Sequence, residues 1–172
     1  AFAVWVLAGA TGSYLELFEM GFGVATTKLV AEDAERDTSS LLKTVNSSLA
    51  VLSLLGIAAI IVGLMVAAIA PFVFQIPDEL RGEAFIVFMV LTVTVGISIP
   101  GDVFGGVLAG YQRYDLLSLS NLVLAAGGGG AAIIVTLAGG DVVAVVMATS
   151  VISVLMHGVR YWLVRRIVPG FR

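Results

Sequence analysis

The chain has 172 residues, of which 59% are hydrophobic and 12% charged, and its formal net charge at pH 7 is −3. This composition excludes a water-soluble domain, which is typically about a quarter charged, and predicts an integral membrane protein. With no cysteine and one histidine, disulfide frameworks, zinc–thiolate sites and multi-histidine metal sites are excluded, so we expect no metal and no cofactor. The acidic balance argues against nucleic acid as a partner, because phosphate binding needs a concentrated basic surface.

Five apolar segments are long enough to cross a bilayer, since a helix needs roughly 20 apolar residues to span the hydrocarbon layer. The sequence therefore predicts an all-α, polytopic bundle of transmembrane helices. The predicted spans are residues 1–30, 49–74, 84–111, 116–138 and 142–164.

The segments around the second span carry helix signals of their own. The polar stretch after the first span is too polar for lipid, and Asp37, Thr38 or Ser39 can cap the following helix. Apolar residues recur at helical spacing over 41–49, which predicts an amphipathic lead-in at the membrane interface. Residues 76–80, Ile-Pro-Asp-Glu-Leu, predict a short surface helix before the third span.

The later segments contain two signals that interrupt helices. Pro100 lies inside the third span and predicts a kink, because proline frees a backbone carbonyl. Gly139, Gly140 and Asp141 predict the turn between the fourth and fifth spans. The chain starts at Ala1 within a hydrophobic run, without Met or a basic region, so we expect a fragment rather than a signal peptide.

The positive charges predict the orientation, because Lys and Arg accumulate on cytoplasmic loops. With the predicted spans, Arg81 alone lies on one side of the membrane. The other side collects Lys28, Arg36, Lys43, Arg113, Arg160, Arg165, Arg166 and Arg172. We therefore expect a multi-pass protein of the cell inner (plasma) membrane with a cytoplasmic C-terminus and the Ala1 end outside. If the native protein starts in the cytoplasm, one further span precedes Ala1.

Polar side chains inside the predicted spans fall at a similar depth, roughly 8 to 16 Å below the cytoplasmic surface at about 1.5 Å per residue. They are Glu19, Asp102, Asn121 and His157. Charged groups within membranes are costly and typically belong to a substrate or ion path, so we predict that Glu19 and Asp102 line such a path or its gate. Glu16 lies about one turn deeper than Glu19, and the two carboxylates could share a proton.

Structural alternatives remain open for these polar residues. Glu19 and Asp102 could pair with a basic residue such as Arg113 or Arg160 and stabilise the bundle without taking part in transport. His157 lies one turn from Arg160. A lone histidine in that position is more typical of a hydrogen-bonded interface residue than of a proton relay.

Glycines are frequent in the spans, and small residues allow membrane helices to approach closely. We therefore predict that Gly56, Gly63, the pair Gly106 and Gly110, and the run at residues 127–130 form packing surfaces. The run of four could also weaken the fourth helix, since each glycine costs roughly 1 kcal/mol relative to alanine.

Three short elements give the chain a family resemblance. They are Leu-Phe-Glu-Met-Gly-Phe-Gly at residues 17–23, Ile-Pro-Asp-Glu-Leu at 76–80 and Gly-Val-Leu-Ala-Gly-Tyr-Gln-Arg-Tyr-Asp at 106–115. In order and spacing they resemble the N-terminal lobe of polysaccharide-biosynthesis transporters. These are the lipid-linked oligosaccharide flippases of the multidrug/oligosaccharidyl-lipid/polysaccharide exporter superfamily.

The resemblance implies a function and a set of site residues. Members have two six-helix lobes around a cavity that opens alternately to either side, and they carry a polyprenyl-pyrophosphate-linked oligosaccharide from the inner to the outer leaflet. This chain would supply helices two to six of one lobe, with the second lobe as its missing partner. By the resemblance, Glu19 takes the acidic position of the family, and the cytoplasmic turn motif comprises Gly110, Gln112, Arg113 and Tyr114. The anionic substrate calls for cationic groups in the cavity, for which Arg160 and His157 are the candidates.

Two other functions remain open from the sequence. One is a cation-coupled drug antiporter of the same superfamily, which the acidic residues suit. The other is a non-transporting membrane scaffold subunit, in which the glycines and the amphipathic stretch 41–49 only dock partners. An enzyme is not expected, because the chain has no cysteine, a single histidine and short loops.

Overall fold

The computed structural model describes residues 22–73, 76–168 and 170–171. This part of the chain is helical and contains no strand, which confirms the predicted all-α fold. The helices are α1 (Phe22–Arg36), α2 (Thr38–Val73), α3 (Asp78–Gly110), α4 (Tyr114–Leu137) and α5 (Val142–Ile167). Most of the predicted first span, residues 1–21, lies outside the described residues.

The break between α1 and α2 is a single residue, Asp37. Its carboxylate accepts a hydrogen bond of 2.7 Å from the backbone N–H of Ser40, so Asp37 is the N-cap among the three candidates. This bond is the main reason why the pKa of Asp37 is lowered to about 2. The polar residues that follow the predicted first span remain helical, since α1 continues to Arg36.

The helices α2 and α3 are each longer than the spans predicted for them. The amphipathic stretch 41–49 and the second span form one continuous helix of 36 residues. The predicted surface helix at 76–80 is likewise the first turn of α3, whose N-cap is Pro77. Pro100 lies inside α3, which continues for ten residues beyond it to Gly110.

The remaining turns match the predicted positions. Gln112 adopts a positive φ of 57° between α3 and α4, and Gly139 a φ of 79° between α4 and α5. The side chain of Asp141 caps α5 by accepting from the N–H of Ala144 at 2.8 Å.

Two apolar cores lie at opposite ends of the bundle. One joins the beginning of α2, the end of α3 and the end of α5, and contains Leu41, Val45, Val107, Leu108 and Val164. The other joins the end of α2 with the beginnings of α3 and α5, and contains Ala67, Ala70, Val87, Phe88 and Val146. Consecutive long helices are therefore antiparallel, and the α1–α2 break, the α3–α4 turn and the C-terminal segment share one end.

Glycines set the closest helix crossings. A Cβ on Gly56 would overlap the carbonyl oxygen of Gly96 in α3, and one on Gly63 would overlap Thr92. A Cβ on Gly110 would likewise overlap the side chain of Val30 in α1. These contacts confirm the predicted packing role for Gly56, Gly63 and Gly110.

The four-glycine run differs from these glycines. Gly128, Gly129 and Gly130 have open space where a Cβ would project, and only Gly127 faces another side chain, that of Ile152. Within the described residues, three of the four glycines of the run make no close helix contact, and their packing role stays a prediction. The run also leaves α4 continuous from Tyr114 to Leu137.

Within the described part of the chain, four helices, α2 to α5, are long and apolar enough to cross a membrane. Large apolar side chains cover their outer surfaces, for example Leu54, Ile61 and Met65 on α2 and Ile134 on α4. Such a surface is unsuited to water and matches a hydrocarbon environment. The chain is therefore a membrane-embedded helical protein.

Candidate functional site

Among the described residues, the largest group of hydrogen bonds between side chains of different helices is centred on Arg160 of α5. Its Nη1 donates to Asp102 Oδ1 of α3 at 3.1 Å, its Nε to the Ser120 hydroxyl at 3.2 Å and its Nη2 to Asn121 Oδ1 at 2.5 Å. We call these four residues the Arg160 cluster. The cluster links three helices, and the partners of Arg160 are 39 to 58 residues from it in sequence.

Burial makes this cluster different from a surface ion pair. The Arg160 side chain is 6% exposed, whereas that of Asp102 is 32% exposed. A buried guanidinium is stable only when its donors and its charge are satisfied. Each of the three guanidinium nitrogens donates one hydrogen bond, and Asp102 supplies the opposite charge.

The local sequence explains how the four side chains meet. Ser120 and Asn121 lie two turns into α4, while Arg160 lies two turns before the end of α5. Asp102 lies eight residues before the end of α3, which is about 12 Å at 1.5 Å per residue. Because the three helix ends share one side of the bundle, the cluster forms a single layer below that side.

A cleft of about 280 Å³ opens beside the cluster. It lies between α1 and α4, with α3 and α5 behind it. Its lining residues are Gly23, Thr27, Asp102, Gly105, Gly106, Ala109, Leu117, Asn121 and Arg160. Two larger grooves, of about 490 and 450 Å³, have mainly apolar linings, although Thr136 and Asp141 line the first.

His157 lies one turn before Arg160 but makes a separate contact. Its Nε2 is 3.1 Å from the Ser98 hydroxyl, and its ring packs over Gly101, where a Cβ would overlap it. The residue is 8% exposed and does not line the cleft. His157 therefore joins α5 to α3 on the N-terminal side of Asp102, as the interface alternative predicts.

The structure decides which basic residue pairs with Asp102. Arg113 instead forms two hydrogen bonds of 3.0 Å with Asp115 at the exposed start of α4. Asp102 is paired with Arg160. Glu16 and Glu19, the two acidic residues predicted for the same layer, lie outside the described residues.

The turn motif has a structural role in the described region. Gly110 allows α3 to cross α1, Gln112 adopts the left-handed conformation of the turn, and Arg113 pairs with Asp115. Tyr114 is 56% exposed. None of these four residues lines the cleft beside the Arg160 cluster.

Sequence reasoning missed three polar residues of this region. Ser120 accepts from Arg160, Thr27 lines the cleft, and Ser98 contacts His157. Each is a small residue with a hydroxyl group in an apolar segment, where the hydroxyl can donate to a backbone carbonyl of its own helix. Ser120 and Thr27 do so, through the carbonyls of Leu117 and Gly23. The usable signal was the adjacency of Ser120 to Asn121.

The chemistry available in the cleft is hydrogen bonding and charge. It offers a carboxylate, an amide and a threonine hydroxyl beside a buried guanidinium. Among the described residues, no group of three His, Cys, Asp or Glu side chains could hold a metal ion. The arrangement therefore suits reversible binding of a polar ligand.

Comparison with known proteins gives no assignment, since no family model, curated protein or solved structure matches the chain.

Proposed function

We propose that this chain is part of one lobe of a membrane transporter that moves a polyprenyl-pyrophosphate-linked oligosaccharide across the cell membrane by alternating access. The observation that carries the proposal is the Arg160 cluster beside a cleft, within helices that are otherwise apolar. Charged groups at membrane depth are costly and typically belong to a substrate or ion path. A cluster with only a packing role has no need of a cleft.

The substrate class rests on the sequence elements at residues 17–23, 76–80 and 106–115, which resemble those of lipid-linked oligosaccharide flippases. The geometry around the third element is compatible with a moving lobe. Gly106 and Gly110 seat α3 against α1, so these helices can move as one body. The cleft lies between that body and α4.

The direction of transport follows from the charge distribution. Lys43, Arg113, Arg165 and Arg166 lie at the end of the bundle that contains the α1–α2 break, and Arg81 lies at the opposite end. If the basic end is cytoplasmic, the cleft is nearer the cytoplasm, where the substrate is loaded. Rocking against a second lobe would then expose the substrate to the outside.

A cation-coupled drug antiporter is the second candidate. The carboxylate of Asp102, one-third exposed in the cleft, favours a cationic ligand. The guanidinium 3.1 Å away opposes it, because a cation on that carboxylate would meet Arg160. The ion pair thus favours an uncharged polar ligand over a drug cation.

A membrane scaffold is the third candidate, and the glycines at 128–130, which have open space where a Cβ would project, favour it. Membrane helices associate through such small residues. This candidate gives no role to the cleft. It predicts that substitutions in the Arg160 cluster affect assembly alone.

The test is transbilayer movement of a fluorescent lipid-linked oligosaccharide in vesicles that contain the complete gene product. We expect Asp102→Asn and Arg160→Gln to reduce the rate at least tenfold while the protein still inserts. Asp115→Asn, which removes an exposed charge outside the cluster, is the matched control and should retain the rate. Normal movement in both cluster variants would overturn the proposal.

A further inference from the structure

We infer that the cleft binds a neutral sugar unit of the substrate through Asp102 and Asn121, and that Arg160 holds these two side chains in place rather than binding phosphate. The inference rests on the proposed function for the source of the sugar. It assigns the cleft to the carbohydrate part of the ligand, and so places the pyrophosphate elsewhere.

Most of the N–H donors of Arg160 are already hydrogen-bonded within the Arg160 cluster. Three of its five N–H groups donate to acceptors, and its side chain is 6% exposed. A phosphate on the two remaining N–H groups would lie next to the Asp102 carboxylate, which is 3.1 Å from Nη1. Two anions so close together repel each other, which is unfavourable in a membrane interior.

Asp102 and Asn121 retain free polar atoms toward the cleft. Within the described part of the chain, Asp102 Oδ2 and the Asn121 amide nitrogen have no hydrogen-bond partner. Both side chains line the cleft and Asn121 is exposed. Their outer atoms present one acceptor and one donor side by side.

This pattern matches sugar hydroxyls. Each hydroxyl donates and accepts, so two neighbouring hydroxyls of a ring can donate to the carboxylate and accept from the amide. Hydrogen bonds to an ionised acceptor are stronger than neutral ones. The hydroxyl of Thr27 across the cleft can serve a third.

The volume of the cleft limits the size of the ligand. About 280 Å³ is close to the lower limit of roughly 300 to 1,000 Å³ for small-ligand pockets, which suits one sugar unit rather than a whole oligosaccharide. Glycine at 105 and 106 keeps the α3 wall open. A Cβ on Gly105 would lie 3.5 Å from Leu117 Cδ1 and 3.9 Å from Arg160 Nη1, so alanine fits there and narrows the cleft.

The charge of the cleft supports the same ligand class. Arg160 and Asp102 neutralise each other at 3.1 Å. A fixed anion or cation would meet repulsion from one of the two, whereas an uncharged polyhydroxyl ligand would meet none.

The experiment is saturation-transfer NMR on the full chain in nanodiscs. The probes are the methyl glycosides of glucose, galactose, mannose and N-acetylglucosamine, together with inorganic pyrophosphate. We expect at least one glycoside to bind and pyrophosphate not to compete with it. Asn121→Ala and Gly105→Ala should each weaken that binding at least fivefold, and Gly128→Ala, which does not line the cleft and has open space for a Cβ, should not.

Three outcomes would overturn the inference. They are no binding of any glycoside, competition by pyrophosphate, and equal binding in Asn121→Ala and wild type. Vesicle transport separates this failure from failure of the proposed function. If sugar-free polyprenyl pyrophosphate moves as fast as the oligosaccharide-linked form, the sugar site is wrong and the transporter stands. If a glycoside binds as predicted but neither lipid moves, the sugar site stands and the transporter is wrong.

Discussion

Arg160 Nη1 lies 3.1 Å from Asp102 Oδ1, and this ion pair joins α5 to α3 in a layer about 12 Å from the end of the bundle. Removing one partner leaves the other charge without compensation, which for buried pairs costs about 3–5 kcal/mol. Since Asp102 is partly exposed, we expect Arg160→Met to lower the free energy of unfolding by about 3 kcal/mol.

The double variant Arg160→Met/Asp102→Leu tests whether that loss arises from the unpaired charge. Replacement of both partners by apolar residues removes the desolvation cost, so most of the lost stability should return. Reversible unfolding in mixed micelles would measure both variants. A double variant less stable than Arg160→Met would contradict this account.

The contact between Gly101 and His157 can be tested by enlarging the first residue and shortening the second. A Cβ on Gly101 would overlap the His157 ring, and overpacking typically costs about 1–3 kcal/mol. We expect Gly101→Ala to lower the unfolding free energy by that amount. The double variant Gly101→Ala/His157→Ala should recover part of the lost stability, because the smaller side chain leaves room for the new Cβ. The same unfolding assay measures the pair. Independent, additive losses would contradict a direct contact.

The crossing of α2 over α3 should tolerate no side chain at Gly56. Its Cβ would meet the backbone carbonyl of Gly96, which cannot move as a side chain can. We expect Gly56→Ala to destabilise the bundle. Gly128→Ala, with open space around it, should be neutral or gain up to about 1 kcal/mol through helix propensity. Equal effects at the two positions, compared by thermal unfolding, would refute the crossing.

The cap at Asp37 should be sensitive to pH. The N–H of Ser40, by donating to the carboxylate, lowers its pKa from 3.8 to about 2. A lowered pKa in the folded state means that the stabilisation is complete above about pH 4 and is lost as the pH falls through 2. Asparagine also caps helices but does not titrate. We therefore expect the stability of wild type to approach that of Asp37→Asn between pH 5 and 2, as followed by thermal unfolding. A constant difference would contradict the cap.

The sequence predicted the helical class, because apolar segments of membrane length leave few alternatives. It placed residues 76–80 in a separate surface helix and treated 41–49 as a lead-in to the second span. At both places polarity changes at the membrane interface, whereas the backbone continues in the same helix. Hydropathy reports the surroundings of a residue and so cannot place the end of a helix that extends beyond the lipid.

The sequence predicted the depth of the site residues within the membrane, but not which side chains contact one another. Counting residues from the basic end placed Asp102 and Asn121 in one layer, and the structure joins them through Arg160. The choice between Arg113 and Arg160 depended on which helix faces meet. That information lies in the packing of α3 against α5, where Gly101 faces His157 and Gly105 faces Arg160, and no spacing within one helix contains it.

The most direct test of the central claim, that the cleft beside Arg160 belongs to the transport path, uses the absence of cysteine from the chain. Asn121→Cys places a thiol in the cleft, and Leu122→Cys places one on an α4 surface that is 65% exposed and does not line the cleft. Only a hydrated thiol forms the reactive thiolate readily. We predict that a membrane-impermeant thiol reagent, applied from the cytoplasmic side, labels Asn121→Cys and that lipid-linked oligosaccharide protects it, while Leu122→Cys stays unlabelled. Labelling of Asn121→Cys that the substrate does not slow, or no labelling at all, would contradict the account.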